Sequence, residues 1–541
     1  MANIVFIGFM CSGKTTVGKQ VATALGMKYV DSDAVIEERA GKSIMRIFAE
    51  EGEQYFRRLE RKVIAHLASK SGLVIATGGG ALGDPRNLAD LRRSGTVVGL
   101  TATPETILQR AIKQGTRPLL KLSDPLARIR QLLAFRAEQY AQADFSVDTT
   151  GITVARAAAR VLRGLTTVPV ALGERSYDIV IGRNLLGQAG DFISRLGDYS
   201  QLIVISEQRV WDLHGASLLS GLPKCRQIIL PALEDQEKIK SLRFAEQLYD
   251  ELLKLGAKRD SLLVAFGGGT IGDLAGFVAA TYMRGIDFVQ LPTTLLSQVD
   301  SSIGGKVAIN HPQGKNLIGA FWQPKLVLAD IHCLDTLPRQ QLRNGLGEVI
   351  KHALMTDERL FRYLEDHVEE VMRISPPALH HLLWRNCQIK AEVVSRDERE
   401  AGARATLNLG HTFAQALEPV SNYHLSHGEA VAIGLAAAGR LACRLGKLSK
   451  TNYQRLLGLL QAYHLPTQVP AQFAVDDLLA AMQGDKKALR GKLRFVIPTR
   501  IGKVKIITDV PVKEIRLALS EEKVSAGKAG NKKSKGKVAN E

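Results

Sequence analysis

Three groups of residues have types and spacings that could do chemistry. The first is Gly8-Phe9-Met10-Cys11-Ser12-Gly13-Lys14-Thr15, which fits G-x-x-x-x-G-K-[ST] between an apolar stretch and a helical one. Glycines let backbone N–H groups close around phosphate oxygens, and the field at a helix N-terminus favours the anion. Lys14 can bridge the terminal phosphates of a nucleoside triphosphate, and the Thr15 hydroxyl can ligate Mg2+. The acceptor needs other groups. Asp31-Ser32-Asp33 sets two carboxylates where a strand ends, the place at which open α/β sheets bind ligands, although an aspartate there also caps helices. Arg57 can fork a carboxylate, and Gly78-Gly79-Gly80 permits close backbone approach.

The second group follows the apolar run Leu262–Phe266: Gly267-Gly268-Gly269-Thr270-Ile271-Gly272-Asp273. A strand, a glycine turn and a helix make a pyrophosphate site, though the spacing is not G-x-G-x-x-G. Glu207, just after Leu202–Ser206, is placed to hydrogen-bond a ribose. Lysines amid glycines and small polar residues, in Gln298–Lys306 and Gly314-Lys315-Asn316, suit a compact anion site. The third group is Glu348, His411 and His427. Two imidazoles and one carboxylate with an open fourth position form a catalytic Zn2+ set. His352 and His424 compete for the same reading.

The elements that must position these groups fall into two kinds. In the front part, short apolar runs (Ile4–Ile7, Tyr29–Asp31, Leu73–Ala76, Val97–Leu100) read as strands, with Lys14–Leu25 and Ser43–Ser69 helical between them. Such alternation predicts a parallel sheet covered by helices on both faces, ending with the Ala-rich segment Val154–Leu165. A strand pair follows near Thr167–Ala171 and Tyr177–Ile181. Then come strands at Leu202–Ser206, Gln227–Leu230 and Leu262–Phe266, with a helix over Lys238–Lys254. Most of Leu337–Ala480 has helical periodicity, so a cleft between an α/β lobe and a helical lobe is expected.

With Gly52-Glu53-x-x-Phe56-Arg57, Arg117-Pro118-Leu119 and Arg136-x-x-x-Tyr140 added to the front motifs, residues 1–165 resemble shikimate kinase. The resemblance implies ATP contacts at Gly8, Cys11, Ser12, Gly13, Lys14, Thr15 and Thr16, with Arg110 near the adenine and Arg117 on a lid over the γ-phosphate. Asp31 would help Thr15 hold Mg2+. Asp33 would contact shikimate as base, with Arg57 and Arg136 on its carboxylate and the Gly79 and Gly80 backbone lining the pocket. Lys14, Asp33 and Arg117 would carry the catalysis, which in phosphoryl transfer is mostly positioning and charge neutralisation.

Residues 167–515 similarly resemble 3-dehydroquinate synthase, through Glu237-x-x-Lys240, Gly267–Phe277, Pro292-Thr293-Thr294, Asp300–Lys306, Lys315-Asn316, Glu348-x-x-Lys351, Lys390, Arg404, Asn408–Thr412, His427-Gly428-Glu429 and Asp485-Lys486-Lys487. This implies NAD held by Glu207, Glu237, Lys240, Gly267, Gly268, Gly269, Gly272, Asp273, Thr293, Thr294, Asp300, Lys306 and Lys315. It also implies Zn2+ or Co2+ on Glu348, His411 and His427. Substrate phosphate and carboxylate would meet Lys306, Asn316, Lys351, Lys390, Arg404, Asn408 and one of Lys486 or Lys487. Catalytic roles fall to Asp300, Lys306, Lys351, Lys390, Arg404 and Asn408. In the implied cycle NAD+ takes and returns a hydride, phosphate is eliminated, and the ring opens and recloses as a carbocycle.

Two positions depart from that family. Gln415 stands where a histidine is associated with phosphate contact and proton transfer, and glutamine cannot titrate near neutrality. Arg209 stands where asparagine is common near the cofactor ribose.

The expected fold is therefore α/β. It comprises a P-loop kinase domain (1–165), a Rossmann-like NAD lobe (166–335), a helical metal and substrate lobe (336–520) and a disordered basic tail (521–541). The expected function is bifunctional: ATP-dependent phosphorylation of shikimate, and conversion of 3-deoxy-D-arabino-heptulosonate 7-phosphate to 3-dehydroquinate. A kinase fused to a polyol dehydrogenase-like domain or to a non-catalytic scaffold is the alternative. The cationic cluster argues against the dehydrogenase, because it suits a doubly anionic substrate.

Composition narrows the rest. The chain has 541 residues, 45% of them hydrophobic and 23% charged, values ordinary for a globular protein. No apolar run approaches the roughly 18 residues of a membrane span. Five scattered cysteines argue for reduced thiols in a cytoplasmic protein. The net charge is +18, and the six lysines and three glutamates of residues 521–541 supply only +3 of it. No basic-aromatic motif accompanies the charge, so small-molecule substrates are expected rather than nucleic acid. The synthase part is expected to form a homo-oligomer.

Overall fold

The computed structural model describes residues 3–114, 124–222, 224–233, 236–400, 402–483 and 493–520. Arg117, Lys486, Lys487 and the tail therefore lie outside the described residues.

The first sheet is built from β1 (Asn3–Ile7), β2 (Lys28–Asp31), β3 (Leu73–Ala76), β4 (Gly95–Thr101) and β5 (Phe145–Asp148), in the order β2-β3-β1-β4-β5. All its pairings are parallel. Strands buried on both faces must be apolar throughout, and all five residues of β1 are buried. Helices cover the two faces with separate cores, one around Ile36, Phe56 and Ile64 and the other around Val17, Val21 and Val161. The helical stretch from Ser43 is two helices, Ile44–Glu50 and Gly52–Ala68. Gly52 breaks it with φ +79, a conformation costly for any side chain.

The helix Val154–Thr166 passes straight into β6 (Thr167–Val170). The second sheet then adds β7 (Tyr177–Gly182), β8 (Gln201–Glu207), β9 (Arg226–Leu230), β10 (Ser261–Gly267) and β11 (Asp287–Pro292). A hairpin of β12 (Lys306–His311) and β13 (Gly314–Phe321) precedes β14 (Leu326–Asp330), and the sheet order is β6-β7-β14-β11-β10-β8-β9. Only the β6 to β7 pairing is antiparallel. The region read as one helix over Lys238–Lys254 begins as a 3-10 turn, Gln236–Ile239, and becomes α-helical at Leu242.

From Arg339 to Gln483 the described elements are all helical, and β15 (Phe495–Arg500) and β16 (Lys503–Ile507) then form an antiparallel hairpin. The helices Arg339–Thr356, Pro376–Arg396 and His427–Arg444 are the centre of this lobe, packed around Leu346, Leu383 and Leu435. Among the described residues no helix is long and apolar enough to cross a membrane, and all five cysteines are free.

Candidate functional sites

At the front, Gly8–Gly13 link β1 to the helix Lys14–Leu25. Lys14 folds back over the loop, donating from Nζ to the carbonyls of Gly8 at 2.8 Å and Phe9 at 2.9 Å. Arg110 donates to the Cys11 carbonyl and to Thr149 Oγ1 and O, which ties the loop to the far end of the sheet. Thr16 Oγ1 bonds the Gly13 carbonyl, and Ser12 Oγ is buried without a partner. Asp31 uses its two oxygens differently. One oxygen caps the next helix at Asp33 N (3.1 Å), while the other accepts from Thr15 Oγ1 at 3.2 Å, the arrangement a shared Mg2+ needs.

Around Asp33 the acceptor groups converge. A Cβ on Gly78 would come within 2.5 Å of Asp33 Oδ1, and one on Gly80 within 2.9 Å of the Arg57 guanidinium. Glycine is what lets these side chains lie against the β3 turn. Arg136 and Tyr140 both donate to the Gly79 carbonyl, at 2.7 and 2.9 Å. Arg57 is held by Glu60 at 2.8 Å and by Glu53 at 3.1 Å. Burial, reinforced by the Asp31 charge, pushes the Asp33 carboxyl up to about 6, and its Oδ1 has no partner. An orphaned buried carboxylate oxygen at Gly78, with Arg136 and Arg57 against the next two glycines of the turn, suits a hydroxylated carboxylic acid.

In the second part, the glycine turn Gly267-Gly268-Gly269 joins β10 to the helix Gly269–Thr281. Glu207 ends β8 and Thr293 follows β11, so these groups share the C-terminal edge of the parallel strands. Lys240 joins Asp273 (2.8 Å) to Asn316 Oδ1 (2.6 Å), and Glu237 accepts from Asn310 at 2.8 Å. Asn316 is thereby tied to Lys240 and, through it, to Asp273. Gly272 packs against the Gln290 side chain, and Thr294 bonds Ser297 at the start of the turn that carries Asp300. Thr293 Oγ1 and Ser301 Oγ are buried and unpartnered, as expected of a pocket shaped for a polar ligand. Lys315 reaches out of the hairpin to lie 3.9 Å above the Tyr423 ring.

The third group converges where two helices touch. A Cβ on Gly347 would lie 2.6 Å from the Gly428 carbonyl, and one on Gly428 would lie 2.0 Å from that of Asn344. That contact brings Glu348 Oε1 to 3.1 Å from His427 Nε2 and 3.6 Å from His411 Nε2. The opposite ring nitrogens are anchored, His427 Nδ1 by Glu418 at 2.9 Å and His411 Nδ1 at 3.3 Å from the Leu409 carbonyl. Such outer partners orient imidazoles for a metal. Burial opposes ionisation of Glu348, yet Lys351, His427 and His411 hold its carboxyl well below the usual range. Burial and Lys351 lower His411 to about 4, leaving its Nε2 lone pair free. Burial would lower His427 too, but Glu348 and Glu418 raise it to about 10. A proton thus sits where a cation is favoured, and the donor set fits Zn2+ or Co2+ with a position open.

Beside this cluster lie the cationic groups. Lys390 pairs with Asp300 at 2.6 Å, and Asp300 is 3.6 Å from His352. Burial brings Lys390 down to about 8 despite Asp300. Burial would raise Asp300, but Lys390 and Lys351 hold it far below the usual range. Lys306 pairs with Glu400, which also accepts from Asn408 at 3.0 Å, and the buried Arg404 reaches the Gly304 carbonyl at 3.2 Å. Sequence reasoning missed three participants. Glu418 had a signal, since seven residues, about two helical turns, return it to the face of His411. Glu400 looked like one more charge in Arg396–Glu400, and His352 passed for a competitor of the ligands.

Comparison with known proteins gives the following similarities. Residues 10–166 match the shikimate kinase family. Residues 230–344 and 345–488 match the N-terminal and C-terminal parts of the 3-dehydroquinate synthase family. The chain is 44% identical over 355 residues to a 3-dehydroquinate synthase of Pseudoalteromonas translucida, covering 65% of this chain and 99% of that protein. It is similar to a solved 2-epi-5-epi-valiolone synthase of Streptomyces hygroscopicus subsp. jinggangensis with NAD+ and Zn2+ bound. That match has 32% identity and a TM-score of 0.59, over 64% of this chain and 97% of the other. It is likewise similar to a 2-deoxy-scyllo-inosose synthase complexed with carbaglucose-6-phosphate, NAD+ and Co2+, at 26% identity and TM-score 0.60, over 65% and 99%.

Proposed function

Because the chain belongs to the 3-dehydroquinate synthase family and carries a shikimate kinase domain ahead of it, we infer that two separate polyanion sites serve two reactions of one pathway. The protein is a bifunctional shikimate-pathway enzyme, a phosphotransferase in front and a carbon–oxygen lyase behind. The alternative of a dehydrogenase-like or inert rear domain is not favoured. The observation that carries the synthase reading is the convergence of Glu348, His411 and His427 beside Lys351, Lys390 and Arg404.

In the kinase, Lys14 and Arg110 fix the nucleotide, with Arg117 assigned to the lid. Arg57 and Arg136 hold the acceptor's carboxylate, and Asp33 takes the proton of the attacking hydroxyl. Mg2+ on Thr15 and Asp31 would neutralise the phosphates. In the synthase, Glu207, Glu237, Lys240, Asp273 and Lys315 hold the dinucleotide over the glycine turn. Lys306, Asn316, Lys351, Lys390, Arg404 and Asn408 bind the phosphate and carboxylate, with Lys486 or Lys487 closing over them. Asp300 orients Lys390 and His352. When bound, NAD+ supplies a reversible hydride acceptor, and Zn2+ or Co2+ polarises the hydroxyl being oxidised.

We also read the protein as cytoplasmic and as a homo-oligomer through the synthase part. The exposed Leu317 and Phe321 on the β12–β13 hairpin support an interface, which sedimentation would detect. The function is tested by assaying the purified chain for phosphate release from 3-deoxy-D-arabino-heptulosonate 7-phosphate and for ATP-dependent shikimate phosphorylation. Chelation followed by desalting into Mg2+ should abolish the first until Zn2+ or Co2+ is added and leave the second intact. Phosphate release indifferent to chelation would overturn the metal assignment.

A further inference from the structure

Two arginines of the synthase lobe face one carboxylate of the kinase domain. Arg359 opens the helix Glu358–Asp366 and donates from Nη1 to Asp144 Oδ1 at 2.5 Å, where the Asp144 side chain is only 4% exposed. Arg385, on the helix Pro376–Arg396, approaches the same oxygen at 3.9 Å and pairs with Asp357. The other Asp144 oxygen accepts from Val97 N at 2.8 Å, inside the front domain. One carboxylate is therefore held from two domains. Nearby, Trp384 donates from Nε1 to the Gly164 carbonyl at 2.9 Å, and its ring meets that of Phe145 edge-on at 6.0 Å.

Asp144 lies four residues beyond Tyr140 and eight beyond Arg136, the two residues that grip the Gly79 carbonyl in the acceptor pocket. The chain between them is the short helix Ala137–Tyr140 and a turn, in which the Gln142 carbonyl is bound by Arg92. A segment so short, fixed at one end in the pocket, takes its placement from what holds the other end. Arg359 is itself aimed by the start of its helix. Its N–H caps onto Asp357 Oδ1 at 2.9 Å, and its Nε is 3.6 Å from the same atom. Without Arg359, the buried Asp144 carboxylate would keep only the longer Arg385 contact at 3.9 Å, and the segment would shift to rehydrate it.

We propose that Arg359 is a positioning residue for the kinase reaction: by holding Asp144 from the synthase side, it fixes the segment that presents Arg136 and Tyr140, so the rear lobe completes the acceptor site of the front domain. The proposal rests on the assignment of Arg136 to the acceptor pocket.

The test uses the full chain. Arg359→Met should raise the KM for shikimate about tenfold, the order expected for losing a hydrogen bond to a charged group. The KM for ATP and the synthase rate should not change, and Arg359→Lys should recover most of the loss. An unchanged shikimate KM, or equal rises in both KM values, overturns the proposal. If Arg359→Met loses both activities, Asp144→Asn decides, since it keeps the Val97 bond and weakens the one to Arg359. A raised shikimate KM supports the coupling and an unchanged one refutes it. Arg136→Ala tests the pocket by itself: a shikimate KM indifferent to that change would mean the pocket assignment, not the coupling, is wrong.

Discussion

Replacing Glu348 with glutamine removes one charge from a side chain with no solvent exposure while leaving its shape nearly unchanged. Lys351, 3% exposed, loses the carboxylate it pairs with, and His427 loses one of its two acceptors. Breaking a buried pair from one side costs about 3–5 kcal/mol. For a folding unit of this size that corresponds to a loss of roughly 10 °C in Tm. Because the folded Glu348 pKa lies below its unfolded value, its contribution is full above the unfolded value and fades as pH falls below about 4, where wild type and variant should converge. Differential scanning calorimetry of the metal-free full chain measures the shift. Metal content by mass spectrometry should fall to background, and synthase activity should vanish while shikimate phosphorylation persists as the fold control. A Glu348→Gln chain that keeps stoichiometric metal and turns over the heptulosonate phosphate would refute the ligand assignment. An unshifted metal-free Tm would refute the account of the buried charges.

Three further outcomes are expected. Gln415→His, one turn beyond His411 on the same helix, should raise synthase turnover by about tenfold or more by restoring a titrating group; an unchanged kcat would mean the departing phosphate carries its own proton. Lys390 is cationic only up to about 8, so the synthase KM should rise as pH passes that value, and Lys390→Met should abolish the dependence. Stability should move the opposite way there: the folded pKa lies below the unfolded one near 10.4, the unfolded chain binds more protons in between, and Tm should rise with pH across that window. Asp33→Asn should lower shikimate phosphorylation by roughly 10²–10⁴-fold and leave the synthase unaffected, and activity within tenfold of wild type would remove Asp33 as the base.

What was legible in the sequence was local. Gly8–Thr15 is a contiguous pattern whose backbone requirements allow little else, and Leu73–Ala76 reads as a strand because both faces of a central parallel strand must be apolar. The short β5 and the strands β11 and β14 escaped notice although Gly151, Gly285 and Pro324 punctuate the chain beside them, because runs of four to six residues carry too little periodicity to stand out. Glu348, His411 and His427 could be named, but their meeting depends on the contact of Gly347 with Gly428, across 81 residues of sequence. The seam between the domains left no trace at all. Arg359 and Asp144 are ordinary charges until the fold buries them together.

The passage from Val154–Thr166 into β6 has a practical consequence. Leu165 belongs to one hydrophobic core and Val168, three residues later, to another, so no tether separates the halves. A gene cut after Thr166 would make the edge strand β6 the frayed N-terminus of one product and leave the other with Phe145 and Gly164 facing water where Trp384 had stood. Protease digestion of the native chain should accordingly yield no stable pair of fragments at this junction, and separately expressed halves should aggregate unless produced together.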